Sequence, residues 1–413
     1  MPASTAASIL ESRAGGGVAK ARGMAPDDVI ALVERSGLRG RGGAGHSLAE
    51  KMRAVRRAAE RRGTERRGTE RGAETVVVAN AYDADPGSPL ARTLIQRNLG
   101  NVLQGVAIAA HAVGAREAIV YMHPEATAER ASFEEDIVVR REALDGLQVQ
   151  VAVGPGGFMG GEESALLNVL ESKRAMARQR PPYPAEQGYR MRPTLVSSAE
   201  TLAWLPQIVA DGVTADTKLV SVTGSVKKPG VYEVPLGTTL GVILDRAGGA
   251  SGSLKAIHVG GPTGGILSAP RKDTKLDFDA LRAAGTHMGS AQVRALTDEV
   301  CMVREAGKLF AYLAKESCAI CVPCRVGTKR VQAILEGVTS SLGRDTDLPW
   351  LEELGDHMEK FSLCGFGITA PSIIRTTMRE FPDDYRAHIS EGRCPTNSCT
   401  PLRARRYETM VQP

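Results

Sequence analysis

Cys318, Cys321 and Cys324 stand at i, i+3 and i+6, and Cys364 follows forty residues after the third of them. Three thiols at that spacing converge on one point. A C-x2-C-x2-C run with a distant fourth thiolate is how a chain wraps a [4Fe–4S] cube. Zinc is the rival ligand, but its structural sites pair two C-x2–4-C knuckles, or a knuckle with histidines, whereas here the fourth thiol stands alone. Chance grouping is disfavoured, because the chain has seven cysteines in 413 residues and three of them share one window of seven.

The remaining cysteines invite plainer readings. Cys301 reads as a small hydrophobe packed in a helix. Cys394 and Cys399 form a C-x4-C pair in a polar tail, a half-site for metal with no partner pair in view. The seven histidines show no H-x2–4-H clustering, so a second metal centre is not expected.

A second kind of chemistry is written in glycine. GLRGRGGAG, Gly37 to Gly45, runs into Ser47-Leu48-Ala49-Glu50, an S-x-x-E capping box that opens a helix. Such a loop delivers backbone amides and a helix N-terminus to one spot, which suits a phosphate, although a surface loop would read much the same. Further on, GPGGFMGGEESALL places the adjacent acids Glu162 and Glu163 after a glycine run at a helix start. There they act either as dipole partners or as site acids.

The elements that must position these groups follow from periodicity. Pro26-Asp27-Asp28 opens a helix that Gly37 closes. Val76-Val77-Val78 reads as a buried strand ending in Asn80, Leu94 to Val113 as a helix, Ala118 to Met122 as a strand, Ala126 to Leu147 as helical and Val149 to Val153 as a strand. Alternating strand and helix implies a largely parallel sheet, whose ligands collect at the carboxyl ends of the strands, where Asn80 and the Gly154 to Glu163 loop would lie. A boundary follows Pro206, and Lys218 to Gly248 reads as two strands around a Lys-Pro-Gly turn and then a short helix. From Val303 the pattern is helical, with the thiol knuckle at the end of one helix and Cys364 on a turn leading into another.

With 42% hydrophobic and 24% charged residues the composition is that of an ordinary globular protein. No run of about 18 apolar residues occurs, so no membrane-spanning helix is expected. The opening MPASTAASILESRAGGG lacks the basic n-region and long apolar stretch of a secretory signal. Thiols kept for a cluster suit a reducing, cytoplasmic setting. The net charge of +5 is mild, and the arginine-rich stretch from Arg61 to Gly72 has no interleaved aromatics, so it reads as a solvated loop rather than a nucleic-acid site.

Taken together, GLRGRGGAG, NAYDADPG at Asn80 to Gly87, GGFMGGEESALLNVLE, RPPYPA at Arg180 to Ala185, PTLVSSAETLA at Pro193 to Ala203, and ESCAICVPCRVGT with SLCGFG carry a resemblance. Over roughly Ala31 to Arg386 the chain resembles the flavoprotein (NADH-binding) subunit of respiratory complex I and its relatives in NAD-linked hydrogenases and formate dehydrogenases. The resemblance implies a fold of α/β plus α+β plus α. Its parts are a Rossmann-like FMN domain over 1–206 with an arginine-rich insertion at about 55–74, a β-grasp ligand-binding domain over 207–300, a helical bundle holding the iron–sulfur cluster over 301–388, and a polar tail over 389–413. It implies FMN beside a [4Fe–4S] cluster, with hydride arriving from NADH. Electrons would leave singly to a second iron–sulfur, ferredoxin-like subunit, to a ferredoxin, or into a larger, quinone-linked complex. The setting implied is cytoplasmic, or peripheral on the cytoplasmic face of a membrane complex, with no nucleic-acid partner.

Carried over by position, Gly40, Arg41, Gly42, Gly43, Gly45 and Lys51 hold the FMN and dinucleotide phosphates, and Asn80 touches the flavin. Gly161, Glu162 and Glu163 line the flavin and nicotinamide site, the two acids serving as its catalytic pair. Arg180 and Tyr183 receive NAD(H), and Thr201 contacts the flavin. Asp83, Asp85, Phe158, Ser197 and Ser198 fall on further cofactor-binding positions. Cys318, Cys321, Cys324 and Cys364 hold the cluster.

The departures from the family pattern concentrate on the dinucleotide. Two stacking aromatics are replaced by His46 and Ala54, the acidic motif reads Tyr82, Asp83 and Asp85, a tyrosine and a cysteine of the flavin loop are Phe158 and Gly160, and an Asn-Asn pair is Ser197-Ser198. The expectation is a diaphorase-like NADH dehydrogenase subunit; the alternative is a cluster-bearing scaffold or differently fed relay that has lost NADH.

Overall fold

The computed structural model describes residues 8–12, 15–65 and 74–399. The chain divides into two compact units, Met1–Leu219 with Glu233–Leu236, and Val220–Tyr232 with Gly237–Pro413.

In the first unit the order is α1 (Gly17–Arg22), α2 (Pro26–Arg35), α3 (Leu48–Glu65), β1 (Val76–Ala81), α4 (Leu90–Val113), β2 (Glu117–Met122), α5 (Thr127–Val139), α6 (Arg141–Leu144), β3 (Gln148–Val153), α7 (Glu163–Leu170), α8 (Pro184–Gln187), β4 (Thr194–Ser198), α9 (Ala199–Leu202) and α10 (Leu205–Asp211). The strands form one parallel sheet in the order β3-β2-β1-β4. Its central strands β1 and β2 are near-continuous apolar runs, as strands covered on both faces must be. Val76, Val78, Ile119, Tyr121, Leu166 and Val196 form one buried core with them. Edge strand β3 is instead half-exposed along its length.

One expectation is corrected here. The arginine-rich segment is not a loop where it begins: α3 continues to Glu65, because alanine, arginine and glutamate are good helix formers and Ala58 has a core to face. Residues 66–73 of that segment lie outside the described residues. Pro206 lies within the main span of the first compact unit, which runs to Leu219. It sits in the first turn of α10, where proline is tolerated because an early helical amide has no acceptor to lose.

The second unit contains most of β5 (Thr217–Gly224) and half of β6 (Gly230–Pro235), then α11 (Leu240–Arg246), β7 (Leu254–Val259), β8 (Gly265–Ser268), α12 (Phe278–Ala283) and β9 (Gln292–Thr297). The strands form a mixed sheet in the order β6-β5-β9-β7-β8, β9 running parallel to β5 and antiparallel to β7. Among the described residues six helices follow: α13 (Met302–Glu316), α14 (Val322–Thr339), α15 (Asp347–Phe361), α16 (Gly365–Thr369), α17 (Ser372–Glu380) and α18 (Pro382–Ile389). Sheet and helices share a core of Ala256, Ile266, Leu296, Met302 and Phe381. Polar bonds seal it: the Ile266 amide donates to Thr376 Oγ1 at 2.9 Å, and Lys255 Nζ lies 2.7 Å from Asp384. Among the described residues no helix is long and apolar enough to cross a membrane.

Candidate flavin edge, thiol loop and a second thiol cluster

The carboxyl ends of β1 and β4 lie side by side, Asn80 opposite Ser198, and the glycine loop sits against them. Gly43 and Gly45 hold φ of +106° and +71°, a region that glycine enters without strain. The Arg41 amide donates to Thr201 Oγ1 at 2.8 Å, Thr201 Oγ1 contacts Ser198 Oγ at 2.7 Å, and a Cβ on Gly42 would lie 3.6 Å from that of Ser198. Asn80 Nδ2 donates to the Gly161 carbonyl at 2.9 Å, tying β1 to the second glycine run. The structure therefore brings Gly40 to Gly45, Asn80, Gly161, Ser197, Ser198 and Thr201 to one edge.

Charge is concentrated beside it. Lys51 Nζ lies 2.5 Å from Glu163 and donates to the Val196 carbonyl at 2.7 Å. Arg180 bridges both acids, 2.7 Å from Glu162 and 3.3 Å from Glu163. The other Glu162 oxygen caps α7, accepting from the amides of Ser164 and Ala165 at 2.8 Å, so this residue both caps a helix and pairs with Arg180. Burial opposes ionisation of Glu163, yet Lys51, Arg180 and His46 together hold its carboxyl below the usual range. Arg180 Nε is buried without a hydrogen-bond partner among the described residues.

Other expected residues are placed as follows. The Arg41 guanidinium donates to the carbonyls of Arg39 and Ala215 at 3.0 and 2.8 Å, bracing the loop rather than offering itself to a phosphate. Asp83, at φ +47°, accepts from the first amides of α4, Ala91 and Arg92, both at 2.8 Å, and burial pushes its pKa up to about 6. Asp85 is buried and accepts from the Gly87 amide at 2.9 Å within its own turn. Phe158 is half-buried in the short turn before Glu162, and Tyr183 is exposed at the start of α8. Sequence reasoning missed Lys218, wholly buried and 2.5 Å from the buried Glu200. The available signal was a charge at the border of an apolar run: Glu200 stands two positions before LAWLPQIV and Lys218 directly before LVSV.

Two departures prove to be one feature. Tyr82 is buried and stacks on Tyr121 with ring centroids 5.1 Å apart. A Cβ built on Gly160 would fall 2.3 Å from the Tyr82 hydroxyl, so the tyrosine fills the space that any side chain at 160 would need. A cavity of 1060 Å³ elsewhere in this unit, lined by parts of α1, α4 and α5, shares no residue with the edge.

In the second unit the expected thiols flank the start of α14. Cys318 and Cys321 precede it, Cys324 lies in its first turn, and Cys364 caps α16. A Cβ on Gly367 would fall 2.9 Å from that of Cys324, which fixes the Cys364 turn against the knuckle. None of the four is in a disulfide. Burial and the neighbouring Cys321 and Cys318 push the Cys324 thiol up to about 11 against a lowering bond from Ser317. Soft thiolate donors in this arrangement around the start of α14 fit an iron–sulfur cube.

The plainer cysteines need correction. Cys301 is not a bystander within a helix: it caps α13, and its sulfur lies 3.6 Å from His388 Nε2 and 3.7 Å from the sulfur of Cys399. With Cys394 these make a group whose ligand atoms all lie within 4.8 Å of one another. Cys394 and Cys399 therefore have the partners that the sequence did not show, and the four side chains form a group of metal-ligand type. The partners stand 87 and 98 positions apart in sequence, beyond the reach of spacing rules.

A parallel sheet with glycine loops, amides and acids at its carboxyl edge, in one chain with a four-thiol helical segment, defines a flavin and iron–sulfur oxidoreductase. Comparison with known families agrees. The Nuo51 FMN-binding domain matches residues 33–207, the SLBB domain 219–267, and the NADH-ubiquinone oxidoreductase-F iron–sulfur binding region 304–388. The chain is 33% identical over 409 residues to NADP-reducing hydrogenase subunit HndC of Solidesulfovibrio fructosivorans, covering 94% of this chain and 81% of that one. It is 33% identical over 393 residues to an NADH-quinone oxidoreductase subunit of Rhizobium meliloti (strain 1021), covering 90% of each. The crystal structure of an NAD+-reducing [NiFe]-hydrogenase in the H2-reduced state superposes with a TM-score of 0.81 at 30% identity, over 95% of this chain and 68% of that one. The chain belongs to the family of FMN-binding and iron–sulfur-binding subunits shared by NADH-quinone oxidoreductases and NAD(P)-linked hydrogenases.

Proposed function

We propose that this chain oxidises NADH at the carboxyl edge of the β1–β4 sheet and delivers electrons one at a time, through the four-thiol segment, to a second iron–sulfur protein of a larger complex. The observation that carries the reading is the gathering of the glycine loop, Asn80, Gly161, Glu163 and Thr201 at one sheet edge in a chain that also holds Cys318, Cys321, Cys324 and Cys364. FMN bound there supplies two-electron acceptance and one-electron release, and a [4Fe–4S] group supplies the single-electron sink.

The protein's own contribution is binding and electrostatics. The amides of Gly42 to Gly45 receive phosphate oxygens, those of Gly40 and Arg41 being bonded to His46 and Thr201. Asn80, held by its bond to Gly161, is placed against the ring system. Glu163, kept ionised by Lys51 and Arg180, accepts hydrogen bonds from amide or ribose groups, and Arg180 offers its spare Nε–H. Asp83, Asp85 and Arg41 support the site by bracing its loops. The flavin, β-grasp and cluster segments, meeting near residues 206 and 300, are on this reading the three functional parts.

The test is an anaerobic visible spectrum followed by titration with NADH, NADPH and reduced ferredoxin. Flavin bands over a broad iron–sulfur absorbance, bleached by NADH, are expected. Iron–sulfur absorbance without flavin would return the chain to the scaffold alternative.

A further inference from the structure

We propose that Cys301, His388, Cys394 and Cys399 form a structural zinc site, separate from the iron–sulfur thiols and independent of the flavin reading. The donor set is Cys3His, one of the recurrent combinations of closed structural zinc centres. The geometry agrees edge by edge. With Zn–S of about 2.3 Å and Zn–N of about 2.0–2.1 Å, a tetrahedron has S···S edges of about 3.8 Å and S···N edges of about 3.6 Å. The observed Cys301–Cys399 sulfur separation is 3.7 Å and the Cys301 sulfur to His388 Nε2 separation is 3.6 Å. The longest edge, within 4.8 Å, closes with a small rotation of a thiol.

The surroundings are those of a ligand set. His388 turns Nδ1 to the Asp384 carbonyl at 2.6 Å, which fixes the tautomer that leaves Nε2 free to bind, as carbonyl-anchored zinc histidines do. Cys301 and His388 are buried, so the ion would be shielded on the side of the bundle, while Cys394 and Cys399 close it from the returning chain. A disulfide is a poor account of the group. Its sulfurs would need to stand about 2.05 Å apart, and a histidine has no part in it. Edges this short suit one ion rather than a cluster that spreads its ligands over several irons.

The site has a mechanical reason to exist. Residues 390–399, SEGRCPTNSC, contain no large apolar side chain to bury, and apart from the thiols they are held by a few polar bonds, such as that from Arg304 to the Ser398 carbonyl. A metal fastens such a segment where a core cannot. It would fasten it to the N-terminus of α13, whose 15 residues span about 22 Å and end just before Cys318. The two thiol groups thus lie at opposite ends of one helix.

The test is metal analysis of the full chain purified anaerobically without chelators. About one zinc beside about four irons per chain is expected. Cys394→Ser, at a half-buried position that folding should tolerate, is expected to lose the zinc, keep the iron, and raise hydrogen exchange across 390–399. Cys318→Ala is expected to do the reverse, losing iron and keeping zinc. The proposal is overturned if zinc stays below about a tenth per chain after incubation with zinc and desalting, if Cys394→Ser lowers iron as Cys318→Ala does, or if alkylation and mass mapping find a disulfide among Cys301, Cys394 and Cys399.

Discussion

The flavin edge and the thiol loop are both built for cofactors, and they are organised in opposite ways. At the edge the protein supplies its own order: Lys51 and Arg180 neutralise Glu162 and Glu163, and Asn80, Arg41 and Thr201 pin the loops with hydrogen bonds. At the thiol loop the local arrangement works against the state a metal needs, since burial and two neighbouring thiols push Cys324 up to about 11. The first site is preorganised and should outlast the loss of its ligand. The second takes its order from the ion, because binding free energy there is also folding free energy.

The hardest break of that comparison is Cys364→Ala. A cube that loses one thiolate is under-coordinated, so iron should fall well below four per chain or the cluster should convert, while flavin content stays near that of the parent. Iron, acid-labile sulfide and flavin assays on one sample decide it. Equal loss of flavin and iron would mean that the edge is not self-sufficient.

A smaller break lies within the edge. Gly160→Cys forces a side chain onto the Tyr82 ring, which cannot retreat because it stacks on Tyr121. Overpacking of this kind costs about 1–3 kcal/mol. Replacing Tyr82 by Ala in the same chain should recover much of that, a coupling visible in a double-mutant cycle of denaturant midpoints. Simple additivity would separate the two positions again.

Glu163→Gln sharpens the comparison further, because it removes a charge and keeps the shape. The Michaelis constant for NADH should rise by about tenfold, or flavin reduction slow by as much, with flavin content little changed. The pH dependence has a definite sign. A carboxyl held below its usual range contributes fully above the unfolded value near 4.5 and loses its contribution only as pH falls through the lowered value. Glu163 should therefore add no limb to a pH–rate profile between about pH 6 and 8. A limb in that range that disappears in the glutamine variant would make it a proton carrier instead.

What the sequence discloses depends on how far apart the partners lie. The strands β1 to β3, the helix at Pro26, the glycine loop and the Cys318 knuckle are local patterns, and each is where its spacing puts it. Lys51 and Glu163 come together only through the resemblance to a family, since 112 positions separate them. Nothing local says that the Arg41 guanidinium turns back to Ala215, that Lys218 is buried on Glu200, or that Tyr82 occupies the room left by Gly160. The Cys301 group is the clearest case: each member alone has an ordinary reading, and only the fold that closes α13 on α18 makes four donors into one set.

The finest adjustment concerns the two missing aromatics. His46 is exposed at the end of the glycine loop and close enough to Glu163 to lower its pKa, and Ala54 lies two turns into α3. Neither offers the broad ring face on which an adenine stacks, an interaction worth about 1–3 kcal/mol per base. NADH affinity should then lean on Arg180, Lys51 and the loop amides, and fall as ionic strength rises to about 0.15 M, where the Debye length is about 8 Å. His46→Phe restores one face and removes a neighbour of Glu163. It should tighten NADH severalfold, at most about tenfold or 1.4 kcal/mol, and flatten the salt dependence. Binding followed by flavin quenching at several salt concentrations reads both effects. Unchanged affinity with an unchanged salt slope would place the adenine away from His46, and the edge would then hold its dinucleotide by charge alone.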